Sequence, residues 1–301
     1  MKLARAHHYV PVFYLAGFTK EGNPNSTLWV FDRQQDRSWQ ASPRNVANQR
    51  DFYRAEFEGV EPDGVEKAFG QFEGRCAAVL RNVSQARALP KGEDLSLLFG
   101  FLALQTTRVP QFRQAYEQAE TQMTTAALRV ALSCPEYFEE VRKQMRRDGV
   151  QEPKNFSRQA MIDFLEDENR WTLEIPREMS IRTMLDVGRD LIPVLAARQW
   201  ILLETLSDED DFICSDRPVI LVPTDETSSR LVGFGMRRTA VIMPLNRDMA
   251  LLGHFGKESG LLPADRTVVA AVNQEMRAYS HRFIYASDQH FPILPTNVKP
   301  C

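Results

Sequence analysis

The sequence predicts an α+β protein in which a helical middle region packs against a small, mostly antiparallel sheet formed by the C-terminal part, with a short N-terminal β-hairpin subregion. Three observations carry this. Apolar residues recur at helical spacing through residues 64–197, short β-like runs between turn formers fill 198–290, and an apolar run at Leu28–Asp32 faces a return run at Ser38-Trp39-Gln40. At 301 residues the chain exceeds a typical single domain and falls short of two large ones. One compact domain is expected, with subregions 1–63 (motif and hairpin), 64–197 (helices), 198–290 (sheet plus helix) and 291–301 (tail).

Taken in order, the polar segment 33–37 makes the hairpin turn, Ser42-Pro43-Arg44-Asn45-Val46 a turn with a short helix, and Asp51-Phe52-Tyr53 a brief extended piece. Val65, Phe69, Phe72, Cys76, Val79 and Leu80 mark the first long helix. A second apolar pattern runs over 94–133 and should break or kink at Pro110. Pro135 restarts a helix that ends in the basic run Arg142–Arg147 before Gly149, and that run reads as a solvated helix end rather than a phosphate site. Ser157 caps another helix, and a further one spans 178–197 with Pro193 inside it. Strands are expected at 200–203, 212–214, 219–222, 239–243 and 250–252, then a helix over 265–279 and a last strand Phe283-Ile284-Tyr285. The proline-rich tail should be extended.

Composition narrows the function. With 43% apolar and 26% charged residues and a net charge of −3, the chain reads as an ordinary globular protein with no global positive field for nucleic acid. Cys76, Cys134, Cys214 and Cys301 form no C-x-x-C pair, which argues against a zinc ribbon or a thioredoxin-type site and fits a reducing compartment. No secretory signal or run of about 18 apolar residues is present, so a cytoplasmic protein without a membrane partner is expected. Phosphate-loop, Rossmann and nucleophile-elbow motifs are absent.

Polar residues on apolar faces point to a site. His7-His8 precede the apolar run Tyr9–Leu15, where an imidazole can be tuned for general-base work, although adjacent strand residues face opposite ways and at most one would enter a site. Gln105 and Arg108 fall in the sector of Leu97, Leu98, Phe101 and Leu104, so a buried guanidinium there must meet a carboxylate, carbonyls or an anionic ligand. Asn273 shares a stripe with Val269 and Met276, and Arg277 follows one turn later. Ser215 and Asp216 sit at a tight connection, where a carboxylate either catalyses or caps a turn.

These residues together resemble the motifs of the DUF4238 family of uncharacterised, mainly microbial proteins: His7-His8-Tyr9-Val10-Pro11 with Phe13-Tyr14-Leu15, Leu28–Asp32, Ser42–Ala47, Asp51-Phe52-Tyr53, Glu66, Gln105 with Arg108, Ser215–Val219, Pro244-Leu245, and Asn273 with Phe283-Ile284-Tyr285. Val12 departs from the polar residue the pattern implies there. The resemblance transfers no reaction. The leading expectation is a hydrolase of nuclease or phosphodiesterase type acting on nucleic acid or nucleotide, with His7, His8 and Asp216 catalytic, Gln105, Arg108, Ser215, Asn273 and Arg277 binding substrate, and Mg²⁺ as the cofactor such chemistry would take. Two alternatives stand beside it: a non-catalytic sensing or interaction module whose buried polar residues are structural, and a small-anion-binding protein.

Overall fold

The computed structural model describes residues 5–294 apart from 56, 58, 60, 62, 155, 168, 169 and 226–231. It divides into two compact units, Met1–Phe112 with Ile181–Cys301, and Arg113–Ser180. The first begins with strand β1 (Ala6–His8) and a single helical turn, α1 (Val12–Leu15), entered from Pro11. Continuing from α1, Ala16–Phe18 makes a 3-10 turn. Strands β2 (Leu28–Asp32) and β3 (Arg37–Ala41) form the expected hairpin around Asp36, which takes a left-handed φ of 46°. Ser42 then caps a 3-10 turn at Pro43–Asn45, accepting the Arg44 N–H (3.3 Å) as a short polar side chain ahead of Pro should.

Strand β4 (Asn48–Arg50) returns antiparallel to β1, with His7 opposite Gln49. The expected extended piece at Asp51-Phe52-Tyr53 is instead a turn, with Asp51 at φ 54°. The Asp51 N–H donates to the Arg5 carbonyl (2.7 Å) and the Arg54 N–H to the Asp51 carbonyl (3.2 Å). That reversal brings the Tyr53 backbone back to the imidazole of His7.

Helix α2 (Gly64–Ala86) buries Phe69, Cys76, Val79, Leu80 and Val83, the period read from the sequence. Helix α3 (Gly92–Thr107) is apolar on most sides and runs through the core. The chain breaks at Pro110, which becomes the first residue of α4 (Pro110–Ser133), where its missing N–H leaves no bond unmade. Helices α5 (Pro135–Arg147) and α6 (Arg158–Glu166) belong to the second unit, whose core is Leu132, Phe138 and Leu165 with Phe156, Met161, Ile162 and Trp171 around them. There Arg142 and Arg146 both bind Glu152 (2.8 Å each), so two cations of the basic run are spent on a local carboxylate. Helix α7 (Arg177–Ala196) carries the chain into the first unit with Pro193 inside it.

The last third supplies β5 (Gln199–Thr205), β6 (Cys214–Ser215), β7 (Ile220–Pro223), β8 (Thr239–Pro244), β9 (Met249–His254), β10 (Gly260–Ala264), α8 (Arg266–Tyr279) and β11 (Phe283–Ala286). Asp265 caps α8 through the N–H groups of Thr267 and Val268. One sheet has the order β10-β5-β9-β8-β7 and is antiparallel except at β10–β5, which is parallel. Strand β10 is absent from the sequence reading because its residues Gly260 to Pro263 are all exposed and show no alternation. A second sheet, β3-β2-β11-β6, joins the N-terminal hairpin to two C-terminal strands.

The strand expected over 212–214 shrinks to Cys214–Ser215. Its first two N–H groups are used elsewhere: Phe212 donates to the Arg247 carbonyl (2.7 Å) and Ile213 to Asn273 Oδ1 (3.0 Å). Of the tail, Phe291 sets its ring edge-on to Phe31 (5.4 Å), and residues 295–301 lie outside the described residues. No helix among the described residues is long and apolar enough to cross a membrane.

Candidate functional site

The N-terminal motif meets α2 and α3 in a dense polar cluster. Helix α3 ends at Thr107, and Arg108 just beyond it is 1% exposed, its guanidinium shared among Glu73 Oε1 (2.6 Å), the His8 carbonyl (2.5 Å) and the Tyr53 hydroxyl (3.1 Å). The Tyr53 hydroxyl donates in turn to the Arg108 carbonyl (3.1 Å). The rings of Tyr53 and Phe69 flank the cation at 5.4 and 4.9 Å. A desolvated cation is tolerated when it is paired and its donors are satisfied, and both conditions hold here.

His7 and His8 face different surroundings, as alternation along a strand requires. The Tyr53 N–H donates to His7 Nδ1 (2.9 Å), and the two rings stack 5.9 Å apart. Accepting that bond occupies the lone pair a neutral imidazole would use as a base. His8 is half-buried and its Nε2 donates to the Arg44 carbonyl (3.1 Å). A carbonyl only accepts, so the proton sits on Nε2 and Nδ1 keeps its lone pair. Burial, against the hydrogen bond to the Arg44 carbonyl and with the nearby positive charge of Arg108, lowers the pKa of His8 and so favours its neutral form.

Glu66, one helical face with Phe69 and Glu73, completes this cluster. Its pKa is raised by burial against the opposing pull of His7 and Arg108, and its Oε2 has no hydrogen-bond partner among the described residues. Gln105, 1% exposed, likewise has neither side-chain atom paired.

The remaining expected residues fall in other groups. Asp216 accepts three backbone N–H groups, from His281 (2.9 Å), Arg282 (2.8 Å) and Phe283 (3.0 Å), which fixes the entry into β11. Alongside, Arg282 clamps Asp32 through two bonds (3.0 and 2.7 Å) and holds that carboxyl below its ordinary range. Ser215 Oγ accepts the Arg217 N–H (3.1 Å) and donates to the Arg217 carbonyl (2.9 Å), a local turn. Asn273 spends its amide on Ile213 N–H and on the carbonyls of Asp211 (2.9 Å) and Pro292 (3.0 Å). Arg277 is exposed and lines a separate cavity of about 540 Å³ with Arg33, Arg37 and Phe291. The structure therefore brings His7, His8 and Arg108 together, and gives Asp216 with Ser215, Asn273, and Arg277 surroundings of their own.

A different hollow opens beside α1. It has a volume of about 570 Å³ and is lined by Phe13, Ala77 and Leu80 on its apolar side and by the charged residues Lys20, Arg81, Arg247, Glu21 and Asp248. Neighbouring contacts fix its walls. The Tyr14 hydroxyl donates to the Pro244 carbonyl (2.5 Å), the Arg247 N–H to the Gly17 carbonyl (3.0 Å), and Asn246 Nδ2 to Ser84 Oγ (2.9 Å). Gly17 is required by close approach, since a Cβ there would stand 2.9 Å from Asn246 Cβ. Arg247 pairs with Asp248 (3.2 Å), whereas Lys20 and Arg81 have no side-chain partner among the described residues.

Sequence reasoning passed over Glu73, Tyr53 and the cavity cations. Glu73 had a usable signal: 66, 69, 73, 76 and 80 follow helical spacing, placing two carboxylates on the stripe of Phe69, Cys76 and Leu80. The cavity cations had none, because Lys20, Arg81 and Arg247 lie on three segments. The buried thiols of Cys76 and Cys214 are both pushed up to about 12, chiefly by burial, and are unreactive at neutral pH. No group of three or more His, Cys, Asp or Glu among the described residues is placed to hold a metal ion.

The fold and these two regions define an α+β protein with a polar latch at its N-terminal motif and a cavity beside α1 lined by charges of both signs. By sequence the chain belongs to DUF4238, a family described as proteins of unknown function, whose model matches residues 6–290. No curated protein and no solved structure matches it.

Proposed function

We propose that this protein binds a small anionic ligand in the cavity beside α1, and that the His7-His8 motif supports the framework around it. The observation that carries this reading is the pair of cations Lys20 and Arg81, which make no ion pair among the described residues although Glu21 and Asp248 line the same hollow, and which share it with an apolar wall. Ligand pockets have this composition: mostly apolar lining with a few convergent polar groups. Charged side chains that serve structure are ordinarily paired, as Arg108 is with Glu73.

Isothermal titration with inorganic phosphate and pyrophosphate tests it on the whole chain. The parent protein should bind at least one of them, and a Lys20→Ala/Arg81→Ala double variant of unchanged thermal stability should bind at least tenfold more weakly. Absence of binding at millimolar anion, or an unaltered affinity in the double variant, overturns the reading.

Hydrolysis is supported by a single separate observation, the neutral His8 ring with its Nδ1 lone pair uncommitted. On that reading His8 is the base that takes a proton from the attacking water. It requires turnover of bis(4-nitrophenyl) phosphate, with or without Mg²⁺, that His8→Ala abolishes and His7→Gln only reduces in proportion to lost folded protein.

A further inference from the structure

We infer that the ligand of this cavity is a compact phosphorylated compound bearing a flat aromatic ring, a nucleoside mono- or diphosphate by chemical class, and that a nucleic-acid strand is excluded. This rests on the anion-binding reading above and adds to it the other half of the ligand and its length.

The ring follows from an aromatic residue on the same lining as the cations. Phe13 is half-buried, lines the cavity, and is braced by the tilted ring of Phe101, with ring centroids 5.5 Å apart. A braced aromatic face offers a fixed stacking surface at little conformational cost. Ala16 and Ala77 are small residues on the same lining, while the space beside Gly17 is taken by Asn246. A hollow of about 570 Å³ far exceeds an inorganic anion and lies in the range that encloses organic ligands of nucleotide size.

The limit on length follows from the adjoining hollow. A second cavity of about 310 Å³ shares Lys20 and Arg247 with the first, and its wall carries Asp208, Glu209, Asp211 and Asp288. Asp211 is held by Ser287 and stands 3.8 Å from Arg247, while no counter-ion pairs with Asp208 or Glu209 among the described residues. Arg247 is already engaged by Asp248 and Asp211, so a phosphate would sit on Lys20 and Arg81, with Glu21 and Asp248 on the same wall and the four carboxylates of the adjoining hollow beyond. One or two phosphoryl groups find cations, and a chain of further phosphates runs into carboxylates. This is selection by repulsion as well as attraction.

Titration calorimetry of the full chain with four probes at one salt concentration separates the parts: inorganic phosphate, ribose 5-phosphate, AMP together with GMP, and a 15-nucleotide single strand. A nucleotide should bind at least tenfold more tightly than ribose 5-phosphate, and the strand at least tenfold more weakly than the better nucleotide. Phe13→Leu should remove most of the nucleotide's advantage and leave ribose 5-phosphate unchanged. Leucine keeps the apolar packing on Phe101, and thermal unfolding of the variant checks that it folds. If it does not, the ranking of the probes on the parent chain decides alone. Equal affinity for ribose 5-phosphate and nucleotides overturns the ring while leaving anion binding intact. A strand that binds as tightly as a nucleotide overturns the length limit. If none of the four binds, the anion-binding reading itself falls.

Discussion

Arg108 is buried with its guanidinium divided among Glu73, Tyr53 and the His8 carbonyl, whereas Arg81 stands exposed at the edge of a cavity without a side-chain partner among the described residues. Both residues lie on or at the end of neighbouring helices, α2 and α3, in one unit of the molecule. The difference teaches how to read a cation. A desolvated one that is fully paired holds segments together, and removing it strands its partners. A solvated one without a partner contributes little to stability and is free to meet a ligand. On the proposed reading, the conspicuous N-terminal motif is largely architecture and the less conspicuous residues beside α1 meet the ligand.

The largest expected effect comes from breaking the paired cation. Arg108→Met should lower unfolding free energy by about 3–5 kcal/mol, because Glu73 and the Tyr53 hydroxyl lose their buried partner. Urea denaturation followed by circular dichroism measures it, and a loss under about 1 kcal/mol would place Arg108 with Arg81 as a cation held ready for a ligand. Asp216→Asn comes next. It substitutes a neutral amide for the carboxylate that collects three backbone N–H groups and should cost about 2–3 kcal/mol in the same assay.

Gly17→Ala acts on the cavity. The added Cβ meets Asn246 Cβ at 2.9 Å and must push the 245–248 turn aside, costing about 1–3 kcal/mol and weakening anion binding together with stability. An alanine variant with parental stability and affinity would mean that these walls do not define the site. Gln105→Leu sharpens the contrast in the opposite direction. Removing a buried amide that has no partner should raise stability by roughly 1 kcal/mol in thermal unfolding, and a loss instead would reveal an unrecognised polar requirement inside the latch.

The smallest effect concerns pH. Arg282 holds the Asp32 carboxyl below its ordinary value of 3.8, so the folded state binds that proton less readily than the unfolded chain. The stabilisation from this clamp is complete above the unfolded value and is lost as pH falls through the lower folded value. His8 adds a shallower loss beginning nearer 6.5, since burial lowers its pKa and the unfolded chain takes up that proton first. Thermal unfolding between pH 7 and pH 3 should show both, with Asp32→Asn flattening only the acid part.

Much of the fold was legible because periodicity and turn chemistry are local. The hairpin at β2–β3, the stripe of α2, the break at Pro110 and the cap at Asp265 each follow from residues a few positions apart. Inward-facing Arg108 and Asn273 were legible for the same reason, since a helix face is fixed by spacing alone. What escaped were pairings across long separations. Strand β10 pairs through its backbone with β5 and carries no alternation, β1 and β4 are each three residues long, and Phe212 and Ile213 spend their N–H groups outside any strand.

The sequence by itself determined the long helices and most of the longer strands, which polar residues on the helices turn inward, and, through its motifs, the family. Only the tertiary structure decided what those inward groups meet: that Asp216 and Asn273 close on backbone rather than on Arg108, that β11 completes the sheet begun by the N-terminal hairpin, and that Lys20, Arg81 and Arg247 line one hollow. The physical reason is range. Propensity and amphipathic spacing act over a turn or two of chain, whereas the partner of a charge is fixed by packing between segments whose separation in sequence leaves no local trace.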